Sequence, residues 1–368
     1  MENSVLGQFI PTETINKETI LSILEPRKNE HILIPEFIPS NLSELLTNEN
    51  SNVDVIHEFP LYHTILQGIV SIKNDQINKI NRVEITNEYI ASITEKINKL
   101  QPIRRNRKKT QLLYKHELKK ILEITKADNN ETCLFALWSI LLNKIRFMTP
   151  LSMEMNLIRA NKSIYPIDLP KEIEDTIDRI KKIEFNHQLI STKLTDNNLY
   201  EHPYSKNKYD SSVTLLPLYL YRKNSFKTMG IELSMLYPNT NVSKISSNKL
   251  NPFKRRKSVS KNKIINRWVK QWLFEQINNF SIPPLYGISR KRLLNYMSRI
   301  ETLIRNLASA TKEGGNVCVI IKKSKLEEDI PITEITQQIL IDMGVYVECM
   351  EDQKHKFVYG KKAHNPFE

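Results

Sequence analysis

The run KEGGNVCVIIKKSKLEEDIPITEITQQILIDMGVYVEC, residues 312–349, constrains the fold more than any other stretch. VCVII is a continuous apolar strand, the pattern of a strand covered on both faces. A helix from about 332 to 343 follows, Gly344 ends it, and VYVEC and KFVYGK give two closing strands around a short polar turn. Leu293, Met297, Ile300, Ile304 and Leu307 stripe the preceding helix, which the Gly314–Gly315 pair is expected to stop. Helix, strand, helix, strand, strand is the order of an open α/β sheet, and the spacing predicts an α/β domain over residues 211–368.

The rest of the chain reads differently. Residues 1–100 form an acidic mixed region of loops, short strands and one or two helices, with Ile32, Ile34 and Ile38 in a proline-broken stretch and Ile85, Ile90, Ile93 and Ile97 at near-helical spacing. Residues 101–185 read as a mainly α-helical region. Tyr114, Leu118, Ile121 and Leu122 make one stripe, CLFALWSILLNKIRF is apolar almost all round, and Asp168 and Pro170 open a helix striped by Ile173, Ile177 and Ile180. Residues 186–210 are polar and read as a linker or long loop.

Charge divides along the same lines. The formal net charge is +13, yet residues 1–100 hold 14 acids against 8 bases, leaving 46 bases and 27 acids for the remainder. That asymmetry points to a polyanion-facing body and an acidic end that meets a partner protein. Nucleic acid, RNA or DNA, is the favoured polyanion; an anionic membrane surface and a merely basic soluble protein are the other readings. RRNRKK supplies Arg104, Arg105, Arg107, Lys108 and Lys109. Between Pro252 and Phe274 stand Lys254, Arg255, Arg256, Lys257, Lys261, Lys263, Arg267 and Lys270 with no acid. Such a run neutralises phosphates and releases their counterions; KRRK also has the composition of a nuclear-import signal. Trp268 and Trp272, one turn apart, either stack on unpaired bases or pack into the core with Ile264, Ile265 and Leu273.

Other chemistry is thinly represented. Eight histidines are scattered, His57 and His63 being six apart, with no HExxH or His–Cys cluster and no GxxxxGK[ST] loop, so neither a metal site nor a P-loop is expected. Cys133, Cys318 and Cys349 sit in apolar contexts without a CxxC pair, which favours a reducing compartment. The N-terminus lacks a basic, apolar leader pattern, and the longest apolar run, Cys133–Leu142, is too short to span a bilayer. The expectation is an intracellular protein, the nucleus before the cytoplasm, with no membrane partner.

FSIPPLYGISRKR (280–292), the strand GGNVCVII, and the final helix and hairpin together resemble a Rossmann-type S-adenosylmethionine-dependent amino-methyltransferase over residues 211–363. The resemblance implies a seven-stranded sheet with an antiparallel last strand. It makes Glu232, in MGIELS, the acid on the cofactor's ribose, and Ser281, Pro283, Pro284 and Tyr286 the loop that holds a target amino group. The sequence departs from that pattern. Ile282 stands where a polar residue is needed, Leu285 where an aromatic is, and VTLLPLYLYRKNSFKT has no glycine to let backbone approach the cofactor. These departures predict a degenerate member with no catalytic residue. No cofactor is then expected, S-adenosylmethionine entering only if the altered site is still competent. The expected function is a non-catalytic, methyltransferase-like nucleic-acid-binding subunit of a larger complex. The alternatives are a stand-alone basic DNA/RNA-binding regulatory or ribonucleoprotein factor without that ancestry, and an active RNA/DNA methyltransferase with unusual motifs.

Overall fold

The computed structural model describes residues 12–58, 60–74, 175, 178, 180–182, 186–195, 199–216, 290–323 and 331–363. The elements in chain order are α1 (Lys17–Leu24), β1 (His31–Glu36), α2 (Leu42–Asn48), β2 (Asn52–His57), α3 (Pro60–Lys73), a 3₁₀ turn (His187–Leu189), β3 (Ile190–Leu194), β4 (Tyr209–Leu216), α4 (Arg290–Ala310), β5 (Thr311–Lys322), α5 (Ile332–Asp342), β6 (Val345–Glu351) and β7 (His355–Lys362). They build one seven-stranded sheet in the order β3-β2-β1-β4-β5-β7-β6. β1 to β5 run parallel, and β7 enters antiparallel between β5 and β6. The architecture is α/β, with a mixed sheet.

The sheet is not confined to residues 211–368. β1 and β2, from the region read as a separate acidic segment, lie in its middle, and β1 pairs with β2 on one side and β4 on the other. Pro35 disguised β1, since a proline argues against a central strand. The structure shows why it is tolerated. The Thr214 hydroxyl donates to the Pro35 carbonyl at 2.9 Å, so that peptide edge faces β4, and the β1–β4 ladder has already ended at Leu33↔Ser212. The missing N–H therefore falls where no main-chain partner waits.

Two further expectations are corrected. The segment 186–210 is no linker. It contributes β3, paired in parallel with β2 from Val53↔Ile190 to His57↔Leu194. β3 is an edge strand buried fully only at Ile190, so its polar sequence reads like a loop. Gly314–Gly315 does not stop α4, which ends at Ala310 and passes straight into β5. The pair lies in a bulge, where the β4–β5 register jumps from Tyr209↔Thr311 to Ser211↔Asn316. Gly314 has φ 71°, and a Cβ on Gly315 would collide with the Asp210 carbonyl.

The remaining elements follow the sequence closely. Met297, Ile300, Ile304 and Leu307 of the α4 stripe are fully buried, as are Val317 to Ile321 of β5. α5 ends one residue before the expected position, and Gly344 has φ 75°. Ile180 is buried within helical residues, as its stripe predicts. The other helices read in 101–185 and the helix at 85–97 lie outside the described residues. Among the described residues no helix is long and apolar enough to cross a membrane.

Acids of the N-terminal region are in part spent inside the molecule rather than offered to a partner. Asp54 accepts from Lys208 Nζ (3.1 Å) and the Tyr209 hydroxyl (3.0 Å), and although burial pushes its pKa up, these bonds hold it below the usual value. Glu13 meets Lys322 Nζ at 2.6 Å and His355 Nε2 at 3.4 Å. Burial raises the Glu13 carboxyl, but bonds from His355 and Lys322 outweigh it and bring the pKa to about 2.

The hairpin that closes the sheet depends on one close approach. A Cβ on Gly360, which pairs with Val347, would fall on the Tyr346 carbonyl. Gly360→Ala is expected to lower stability by about 1–3 kcal/mol by forcing the strands apart, measured as the shift in urea midpoint.

Candidate functional site

In an open α/β sheet, ligands bind beyond the carboxyl ends of the strands, where the strand order reverses. Here that point lies between β1 and β4, because β1 continues to β2 on one side and β4 continues to β5 on the other. The lining is thus the β1–α2 loop, Phe37 to Asn41, the ends of β2 and β3, and the turn that follows β3.

The β1–α2 loop, FIPSN, contains no glycine, and every residue from Ile32 to Ser43 is buried. Its cover is the chain's own N-terminal segment. Glu13 N–H donates to the Pro39 carbonyl at 2.8 Å and pairs in parallel with Ser40. The Asn41 side chain clamps Ile15 from both sides, accepting from its N–H at 2.8 Å and donating to its carbonyl at 3.1 Å. From the other direction Phe37 packs on Tyr200, ring centroids 4.7 Å apart, with the Arg299 guanidinium 5.9 Å from the Tyr200 ring. Tyr200 is fully buried. Aromatic and backbone atoms thus occupy the space over the end of β1.

Beneath this cover lies a polar cluster. β1 ends in Glu36 and β2 in His57, followed by Glu58; all three are buried, at 3%, 0% and 2% exposure. Glu36 Oε2 lies 3.2 Å from His57 Nδ1, and Glu36 Oε1 accepts from Ser40 N–H at 3.1 Å. The His57 and His63 rings are 5.9 Å apart, and His63 Nδ1 is 3.0 Å from Thr192 Oγ1. Glu58 Oε2 accepts from Leu199 N–H at 3.4 Å, and Thr195 Oγ1 meets His202 Nδ1 at 2.9 Å. Burial raises the Glu36 carboxyl to about 8, so at neutral pH it stays largely protonated. Burial lowers His57 to about 3, with the His63 ring adding to the effect, and burial likewise lowers His63 and His202. The cluster pairs a neutral acid with a neutral imidazole, both buried from solvent.

Sequence reasoning did not assemble this group. It noted His57 and His63 only as scattered histidines; the signal was their place at the end of an apolar strand and in the first turn of the helix after it. The second strand of the sheet is Asn52–His57, and the acid after its end is Glu58, whereas Glu232 lies outside the described residues. Ser281, Pro283, Pro284 and Tyr286 also lie outside them. So do both basic runs, Arg104, Arg105, Arg107, Lys108 and Lys109, and Lys254, Arg255, Arg256, Lys257, Lys261, Lys263, Arg267 and Lys270. Among the described residues no group of His, Cys, Asp or Glu is placed to hold a metal ion.

No protein-family model matches the chain, and no curated protein matches it. Among solved structures, a possible exported protein from Bordetella parapertussis is similar at 10% identity and a TM-score of 0.24, over 83% of this chain and 99% of that one. A likeness of that degree carries no argument about fold or activity.

Two outcomes are expected from the site itself. Asn41→Ala strands the Ile15 N–H and carbonyl and should cost about 1–3 kcal/mol, with faster amide exchange at residues 13–16. Glu36 and His57 titrate with opposite sign. The folded Glu36 binds its proton up to about pH 8 and the unfolded one only up to its ordinary 4.5, so its contribution falls as pH rises through that window. His57, depressed to about 3 from 6.5, contributes stability that is lost as pH falls through its own window. The two nearly cancel between 4.5 and 6.5 and leave a decline above it. Glu36→Gln should remove that decline, gaining roughly 1–2 kcal/mol on wild type between pH 6.5 and 8.5, read from urea unfolding at both values.

Proposed function

We propose that this chain is a non-catalytic, methyltransferase-like protein that binds nucleic acid. The observation that carries the non-catalytic half is the β1–α2 loop, free of glycine, buried at every residue and strapped over by residues 13–15. A cofactor whose backbone seat is filled by Phe37, Tyr200 and the strap has no entry. The methyltransferase-like half is supported by the sheet, seven strands with the last antiparallel between the fifth and sixth, as the resemblance implies. On this reading the acid after the second strand is Glu58, already bonded to Leu199 N–H, and not Glu232. The fourth strand ends at buried Leu215 and Leu216, followed in sequence by Pro217, Leu218 and Tyr219. An apolar residue there offers no acceptor for an amino group that attacks a methyl donor. The loop at Ser281–Tyr286 comes too late in the chain to follow that strand.

Nucleic acid as partner rests on charge. The whole chain is +13, and the part after residue 100, with 46 bases against 27 acids, sets the sign of its outer field. Its two clusters are Arg104–Lys109, five bases in six residues, and Lys254–Lys270, eight bases with no acid.

Fluorescence anisotropy with single-stranded RNA, duplex RNA and duplex DNA across a salt series tests the binding half. Tight binding is expected, with log K falling linearly in log salt. Replacing Lys254, Arg255, Arg256 and Lys257 with glutamine should reduce the slope by about 3–4; no binding at any salt overturns this half. Calorimetry with S-adenosylmethionine tests the other half, no heat of binding being expected. Saturable binding with methyl transfer to RNA or DNA would make the protein an enzyme.

A further inference from the structure

We propose that the β6 edge of the sheet is a docking site for an extended, lysine- or arginine-rich segment of a partner protein, which pairs with β6 as an eighth strand. This does not depend on the proposed function above.

Among the described residues the backbone of β6 is half unpaired. Ala363 N–H donates to the Gly344 carbonyl at 2.8 Å and Asp352 N–H to the His355 carbonyl at 2.9 Å, at the two ends of the β6–β7 ladder. Hydrogen-bonded pairs alternate along an antiparallel ladder. Gly344, Tyr346, Glu348, Met350 and Asp352 therefore bond toward β7, while Val347 and Cys349 turn their N–H and carbonyl groups to the open side. Natural sheets blunt such edges with lysine, proline or bulges. β6 has none of these, and its pairing with β7 is regular from Val345↔Lys362 to Glu351↔Lys356.

The side chains add affinity and selectivity. Among the described residues, three of the four exposed large apolar side chains lie here: Tyr346 (74%) and Met350 (40%) on β6, and Ile341 (54%) at the end of α5. Tyr346, Glu348 and Met350 share one face of the strand, since side chains alternate. Residues 331–353 carry five acids and no Lys, Arg or His, in a chain with 54 Lys and Arg. Glu351 is 62% exposed but already paired with Lys323 Nζ at 3.2 Å, so Glu348, which accepts from the Tyr359 hydroxyl at 3.0 Å, is the outward acid of the strand. This acidic edge disfavours nucleic acid. It also disfavours a second copy, because the register that sets Tyr346 against Met350 of the other chain sets Glu348 against itself, and like charges directly opposite are destabilising. An incoming strand with an apolar residue, a lysine and an apolar residue at alternate positions meets Tyr346, Glu348 and Met350 in turn.

The test uses the full chain and a fluorescein-labelled Val-Thr-Lys-Lys-Val-Thr-Lys peptide. Two controls are a scrambled peptide of the same composition and one with glutamate for lysine. Micromolar binding of the first peptide is expected, at least tenfold tighter than either control. Glu348→Lys and Tyr346→Ser should each weaken it about tenfold. Cys349→Pro, which removes an outward N–H from an exposed position, should weaken it more; if that variant misfolds by circular dichroism, the first two substitutions decide. Equal binding of the scrambled peptide, or unchanged affinity in Glu348→Lys, would overturn strand addition. A concentration-dependent dimer in sedimentation velocity that Tyr346→Ser abolishes would assign the edge to a second copy instead.

Discussion

Everything in this fold depends on β1 being paired on both sides. One neighbour, β2, arrives within about twenty residues. The other, β4, is joined to it by a bond from His31 N–H to the Asp210 side chain across 179 positions. Until β4 is in place, the apolar strand Ile32–Ile34, fully buried in the finished sheet, has an open edge in the middle of what becomes the core. Asp210, Thr214 and the Ser212–Thr311 hydroxyl pair at 2.6 Å then fix β4 against β1, α4 and β5 together. The polar groups in this seam are small and mutually bonded, so they set register at little desolvation cost.

The parts of the fold that were legible in the sequence are those where local pattern and tertiary role agree. β5 is apolar on both faces because it is covered on both faces. α4 shows its stripe because Met297, Ile300, Ile304 and Leu307 form its fully buried side. The parts that misled are those where tertiary context overrode a local rule. Pro35 sits in a central strand because its missing N–H falls beyond the end of the β1–β4 ladder. β3 looks like a linker because an edge strand with one residue fully buried needs few apolar side chains. Gly314–Gly315, which reads as a helix stop, provides room for a bulge against the Asp210 carbonyl. The site was the least legible of all. Glu36, His57 and His63 are neighbours only because β1 and β2 lie side by side, and no spacing along the chain encodes that.

The site joins features that seldom occur together. It stands at the switch point of an open α/β sheet, where backbone and helix ends commonly receive a nucleotide or its relatives. Yet its acid is protonated, its imidazoles are neutral, and its loop is covered by the strap and the Phe37–Tyr200 pair. Each of these belongs to a closed, packed interior. A charged pair at that depth would cost several kcal/mol more to bury than a neutral one, so the protonation states fit the closure of the crevice.

The separation between β1 and β4 also bears on how the protein is made. At roughly 5–20 residues per second on the ribosome, about 10–40 s pass between emergence of β1 and of the strand that completes its pairing. During that interval Ile32, Leu33 and Ile34, together with Val53 and Val55 of β2, form a half-built hydrophobic surface at the mouth of the exit tunnel. A nascent chain of this design keeps one edge of a central strand open for longer than one whose central strand is paired by its immediate neighbours.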